Sequence, residues 1–225
     1  MQNVRVLENK VVCADLHHIR LETAGTALDD GFTTPGQYVQ LTVGEAQAAY
    51  MAIASAPQKG DFEFLIQRTD GTAGLLCDVK IGGEVQISEP MGSGFNMTTI
   101  HNHTPLFFVT GTGISAIRSV IESRNWKGSG ARLYYGTLTA SDMAYQDKFK
   151  EWEDRGVEIH ALISEPDGVD WAGETGFVQD AYAKNPLNDA SKAALVLCGA
   201  KIMCGQATKL LVEAGMPPEH ALTNY

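Results

Sequence analysis

Tyr38-Val39-Gln40-Leu41-Thr42-Val43 alternates between two kinds of position with period two, as a half-buried strand does. Pro35-Gly36 ahead of it marks a turn. The stretches His18–Glu22, Phe62–Ile66 and Glu84–Ser88 repeat the pattern, and a short helix is expected over Thr72–Val79. Short strands with turns at close spacing predict a small antiparallel barrel over residues 1–103. The texture then changes. Leu106-Phe107-Phe108-Val109 is continuously apolar, as a strand buried on both faces must be. Further strands are expected at Arg132–Tyr135, Val157–Leu162 and Ala194–Cys198. Helices are expected over Ile114–Ser123, over Ser141–Arg155 with Ser141 as N-cap, and from the last strand to about Ala214. Strands alternating with helices predict a parallel-sheet α/β domain over residues 104–225. The fold class is therefore two-domain: an antiparallel β-barrel followed by an α/β domain.

The 225 residues suffice for two such domains. Net charge changes the list of partners. With 17 Lys+Arg against 27 Asp+Glu the chain carries −10. Six basic and twelve acidic residues give −6 over residues 1–103; eleven and fifteen give −4 over 104–225. Neither half offers the basic face that nucleic acid or an anionic membrane surface requires. No apolar run reaches the roughly 18–20 residues of a membrane helix. Cys13, Cys77, Cys198 and Cys204 are too few and too scattered for a disulfide framework, which points to free thiols in a reducing compartment. His101-Asn102-His103 sits in an expected polar turn and lacks an evident third ligand, so no metal is expected.

The chemistry begins after the first apolar strand. Gly111-Thr112-Gly113-Ile114-Ser115-Ala116 places Gly-x-Gly-x-x-Ala between a strand and a helix. Glycines there let backbone N–H groups approach a phosphate, and the helix start adds partial positive charge. A tight turn without ligand is the competing explanation. Gly136-Thr137 ends the next strand, and neither an acidic residue for a ribose nor an Arg for a 2′-phosphate follows in Leu138-Thr139-Ala140. Absence of Arg favours NAD over NADP. Cys198-Gly199 forms a third turn at a strand end, where a thiol faces either a ligand crevice or the core.

Taken in order, these motifs resemble those of the ferredoxin–NADP reductase superfamily. Pro35-Gly36-Gln37-Tyr38-Val39 is similar to its Pro-Gly-Gln-[Tyr/Phe]-Val strand, and Gly111 to Ser119 to its Gly-Thr-Gly-Ile-Ala-Pro-x-Arg-Ser turn, with Ser115 and Ala116 as departures. Leu133–Thr137, Tyr145–Phe149, Trp171–Val178 and Cys198–Met203 resemble its later motifs. The resemblance implies an FAD-type Greek-key barrel, a nicotinamide-binding domain, and a reductase that passes hydride between NAD(P)H and FAD. It places Gly111, Thr112, Gly113, Gly136, Thr137 and Gly199 on the nicotinamide nucleotide, with Cys198 and a terminal Tyr225 at the reacting rings.

The flavin side departs from the family. Where relatives have Arg-x-Tyr-[Ser/Thr] before an apolar-Ala-Ser stretch, aligning Ile53-Ala54-Ser55 leaves Ala49, Met51 and Ala52 at the three functional positions, with Tyr50 one residue off. An absent Arg–phosphate contact costs roughly 1.5–3 kcal/mol. The second phosphate site becomes Gly71-Thr72-Ala73-Gly74, with Gly74 in place of a hydroxyl. The resemblance still assigns Tyr50, Met51, Ala52, Ile53, Ser55, Gly71, Thr72, Ala73 and Gly74 to a weakened FAD site, nearest in its apolar strand to the plant "fruit protein" group. A flavin-free nucleotide-binding subunit is the alternative. A gamma-type electron-transfer subunit is disfavoured because no cysteine-rich segment follows the α/β domain. Charge disfavours an acidic ferredoxin as partner and leaves the electron acceptor unidentified. The expected location is the cytoplasm, or the plastid stroma if a presequence has been removed.

Overall fold

The structure is a computed structural model that describes residues 1–57, 60–166, 168 and 171–224. Six strands make the first sheet: β1 (Gln2–Cys13), β2 (Leu16–Leu21), β3 (Tyr38–Thr42), β4 (Ala49–Ala52), β5 (Phe62–Gln67) and β6 (Glu84–Ile87). Their order is β4-β3-β6-β1-β2-β5, with every pairing antiparallel. The barrel closes where Ala54 N–H donates to Glu63 O (2.7 Å). Alternation decides what is inside: Val39 and Leu41 of β3, Phe62, Phe64 and Ile66 of β5, and Val85 and Ile87 of β6 share one core. Helix α1 (Ala27–Gly31) and helix α2 (Thr72–Asp78) close it, through Leu28 and Leu76.

Helix α3 (Met97–Asn102) leads into a parallel sheet of β7 (Thr104–Thr110), β8 (Arg132–Thr137), β9 (Glu158–Ile163), β10 (Glu174–Thr175), β11 (Ala193–Cys198) and β12 (Ala221–Leu222). The order is β10-β9-β8-β7-β11-β12. β7 lies centrally and splits its side chains between two cores. Phe107 and Val109 face helix α4 (Ile114–Glu122); Leu106 and Phe108 face helices α6 (Val178–Lys184) and α7 (Lys201–Glu213). Burial on both faces explains the unbroken apolar run.

One strand follows no single pattern, and two local expectations are corrected. β1 has no simple alternation because it changes partner midway: residues 2–5 pair with β6 and residues 6–13 with β2, with irregularities after Val6 and Val11. His101 and Asn102 close α3 rather than a turn, and the His103 ring lies against that of His220 (4.0 Å between centroids). The long helix expected over Ser141–Arg155 shrinks to α5 (Phe149–Asp154). Thr139, not Ser141, caps a single turn over Ala140–Asp142, and Tyr145 adopts a left-handed φ of 63° that breaks the helix. That break buries the Tyr145 ring against Trp152 and the Arg118 guanidinium, which sits 4.9 Å from the ring centre.

Arg118, on α4, is 3% exposed and ties the two domains together. It pairs with Glu63 of the barrel and, at 2.9 Å, with Glu122 one turn along its own helix. Burial by itself disfavours the charged guanidinium; Tyr145, Glu122 and Glu63 outweigh it and leave its pKa raised. Beside it, Ser115 Oγ donates to Ala52 O (3.2 Å). Removing one partner of such a pair strands the others' charge. Arg118→Ala is therefore expected to lower unfolding free energy by about 3 kcal/mol, read from the midpoint of urea denaturation; a loss within the scatter of exposed ion pairs would show that the contact does not join the domains.

Candidate functional site

Three strand ends converge at the C-terminal edge of the parallel sheet, where β7 is flanked by β8 on one side and β11 on the other. From β7 the chain continues through α4 toward β8, while β11 lies on its opposite side, so a crevice opens between the two turns. After β7 the chain takes one tight turn, Gly111–Gly113, before α4. Gly111 has φ 54°. A Cβ on Gly113 would lie 2.5 Å from the Cys198 carbonyl oxygen, so only glycine lets the two turns touch. On the other side Gly199 has φ 133°, and a Cβ there would run into Thr110. Ala200 N–H donates to Thr110 Oγ1 (2.8 Å), which stitches the β7 and β11 turns together.

Above these turns lies a cavity of about 930 Å³. Thr110, Gly111, Thr112, Gly136, Thr137 and Gly199 line it. Gly113 packs behind them. Sequence reasoning missed the rest of the wall. Leu138, Phe177 and Ile202 stand at the cavity as exposed apolar side chains, Phe177 at 59%. Asp15 and Gln67 reach it from the barrel, and Ser164 from the end of β9. The available signal was an apolar residue directly beyond a strand's C-terminal end, as Leu138 follows Thr137. The charge is one-sided: Asp15, Asp142 and Asp180 line the cavity, and no Lys or Arg does among the described residues. Asp142 is held by the Thr139 N–H (3.0 Å) and hydroxyl (2.7 Å).

Cys198 ends β11 half-buried and does not reach the cavity wall. Its Sγ lies 3.9 Å from Asn224 Oδ1, and Asn224 Nδ2 donates to Gly36 O of the barrel (3.2 Å). Burial, with a smaller contribution from Cys204, pushes the thiol up to about 12. Burial thus keeps the thiol in its uncharged form at neutral pH. Tyr225 lies outside the described residues.

The flavin-side residues are dispersed. Register pairs Met51 with Val39 and Ala49 with Leu41, and Met51 packs on the barrel core. Tyr50 and Ala52 take the opposite, outer face. Ile53 is fully buried inside the barrel core. Ser55, expected near the flavin, is buried, and its Oγ accepts from Glu63 N–H (3.2 Å). Thr72 is likewise occupied, donating its hydroxyl to Gln47 O. Ala73 packs on the barrel core, and Gly71 precedes α2 with φ 80°. A Cβ on Gly74 would lie 2.5 Å from Thr69 O, so the family's hydroxyl residue does not fit there without moving the helix start. A phosphate at this end meets no basic side chain on β4 or in residues 71–74.

Comparison with known proteins agrees with this geometry. A family described as "Oxidoreductase NAD-binding domain" matches residues 107–209. The chain is 38% identical, over 85% of its length, to "Fruit protein pKIWI502" of Actinidia deliciosa, and 30% identical, over 82%, to the propane 2-monooxygenase reductase component of Mycolicibacterium goodii. It spans 66% and 56% of those proteins. The ferredoxin NADP+ reductase of Neisseria gonorrhoeae, solved with bound FAD and NADP, superposes with a TM-score of 0.79 at 14% identity, covering 95% of this chain and 91% of that one. The chain belongs to the ferredoxin–NADP reductase superfamily.

Two outcomes follow from the site's geometry. Gly199→Ala should weaken nicotinamide nucleotide binding at least tenfold by calorimetry, because a side chain there displaces Thr110; unchanged binding would mean that the stitched turns do not shape the cavity. At pH 8 the Cys198 thiol should escape alkylation by iodoacetamide in the folded chain and react once urea is added, as mapped by peptide mass spectrometry.

Proposed function

We propose that the chain is a nicotinamide-dinucleotide-dependent oxidoreductase. Residues 104–225 bind the dinucleotide, and residues 1–103 present a redox-active ring to it. The observation that carries this is the cavity over the glycine turns of β7, β8 and β11. Backbone N–H groups at the start of α4 would face a diphosphate there, and Leu138 and Phe177 supply apolar surface for an adenine, while Cys198 packs behind the wall at the end of β11. The dinucleotide supplies the hydride. The chain binds it, orients it and keeps water from its ring.

The lining argues for NADH. A 2′-phosphate would enter a cavity with three carboxylates and no lining cation among the described residues. Without a charge-assisted partner it forgoes about 1.5–3 kcal/mol. Four free cysteines agree with a reducing compartment, the cytoplasm or the plastid stroma. Among the described residues no helix is long and apolar enough to cross a membrane. The electron acceptor is a soluble carrier or small oxidant, and the acidic surface argues against an acidic ferredoxin.

One observation favours a second reading, a nucleotide-binding subunit without flavin chemistry: β4 carries Ala49, Met51 and Ala52 where the family holds its flavin. Turnover separates the two. NADH oxidation coupled to ferricyanide, with flavin added in excess, supports the oxidoreductase; nucleotide binding with no turnover supports the subunit. Calorimetric titration should show NADH binding about ten- to a hundredfold tighter than NADPH, and equal affinities would overturn the NADH assignment.

A further inference from the structure

β4 stands at the end of the barrel's strand order. Tyr50 stands on its outer face, 67% exposed. Its ring meets the Tyr38 ring edge to face, with centroids 5.7 Å apart at 74°. Tyr38 is itself braced, since its ring lies over Gly92, where any Cβ would collide with it. Two residues along the same face, Ala52 packs against the α/β core, and its carbonyl takes the Ser115 hydroxyl. Gly36, two residues before Tyr38, is held by Asn224, which also touches Cys198. The tyrosine pair therefore borders the cleft between barrel and nucleotide domain. A rigid, exposed aromatic face at such an edge suits a planar ring.

The other end of the same strand offers a phosphate little. Ala49 brings no charge, Thr72 spends its hydroxyl on Gln47 O, and Gly74 has no room for one. Arg68, the cation that precedes α2, is engaged by Asp78 at 2.9 Å. Ring and phosphate recognition have come apart: a ring platform is present one residue away from the position the family uses, while β4 and residues 71–74 carry no Lys or Arg for a diphosphate.

We propose that this chain recognises flavins by the isoalloxazine ring alone, stacked on Tyr50, and takes riboflavin, FMN and FAD as exchangeable ligands instead of keeping one FAD as a fixed group. This rests on the oxidoreductase reading above and names the ring that the barrel presents. Quenching of flavin fluorescence by the purified full chain tests it. Riboflavin, FMN and FAD are expected to bind with dissociation constants within about threefold of one another, and FAD should be lost on gel filtration. FAD binding more than tenfold tighter than riboflavin, or co-eluting one to one, overturns the proposal, as does failure of all three to bind. Tyr50→Ala should weaken all three equally, by about tenfold, with an unchanged circular dichroism spectrum, and Tyr50→Phe should restore them. Unchanged flavin affinity in Tyr50→Ala overturns the stacking. Calorimetry with NADH keeps the two levels apart: NADH binding without flavin binding removes only this proposal, whereas absence of NADH binding removes the oxidoreductase reading itself.

Discussion

A single buried guanidinium sets the relation between the two halves of this protein. Arg118 projects from the helix that begins at the first glycine turn, and three groups meet it: Glu63 from the barrel wall, Glu122 from its own helix and the face of Tyr145. A charge at that depth is tolerated only when its partners are held in place. The barrel must therefore dock where Glu63 reaches Arg118. The segment after β8 must likewise bend where Tyr145 can cover it. The left-handed Tyr145 and the lost helix over residues 141–148 follow from this one requirement.

The docking has a consequence for the site. With Arg118 anchored, Ser115 in the first turn of α4 meets the carbonyl of Ala52, so the outer face of β4 is brought beside the start of α4. Asn224 makes the matching contact on the other side, from the end of the chain to Gly36. Glycines at 113 and 199 let the β7 and β11 turns close on each other beneath the cavity. Cleft, cavity and inter-domain seam are thus parts of one assembly, and a disturbance at Arg118 acts on all three.

The two ends of the site contrast in how they treat phosphate. The crevice over α4 offers backbone N–H groups and a helix start, which need no particular side chain. The barrel end relies on side chains in the family at large, and here those side chains are absent or already engaged. The outer face of β4 carries an exposed aromatic ring, Tyr50, and no charged side chain. The cavity lining is acidic as well: among the described residues Asp15, Asp142 and Asp180 line it and no Lys or Arg does.

Much was legible in the sequence alone. Period-two alternation and apolar runs named most strands and the change of architecture near residue 103, because burial on one face or on both writes directly into composition. The glycine turn, Gly111 to Gly113, was legible because only glycine permits that approach of backbone to backbone. What the sequence could not settle depended on long-range contacts. β1 changes partner midway, so no single alternation marks it. The helix expected at Ser141–Arg155 had sound local propensity and was overruled by the burial of Tyr145 against Arg118, a contact 27 residues apart in the chain. Thr72 looked available as a ligand hydroxyl until the fold placed its O–H on Gln47 O, and Ser55 proved to be buried where its Oγ accepts from Glu63 N–H. The hydrophobic pattern marked two domains and the glycine turn, and the resemblance marked where this chain lacks the family's arginine. Only the tertiary structure decided that Tyr50 faces outward and Met51 inward, because strand register is set by pairing with β3 and not by the residues of β4 themselves.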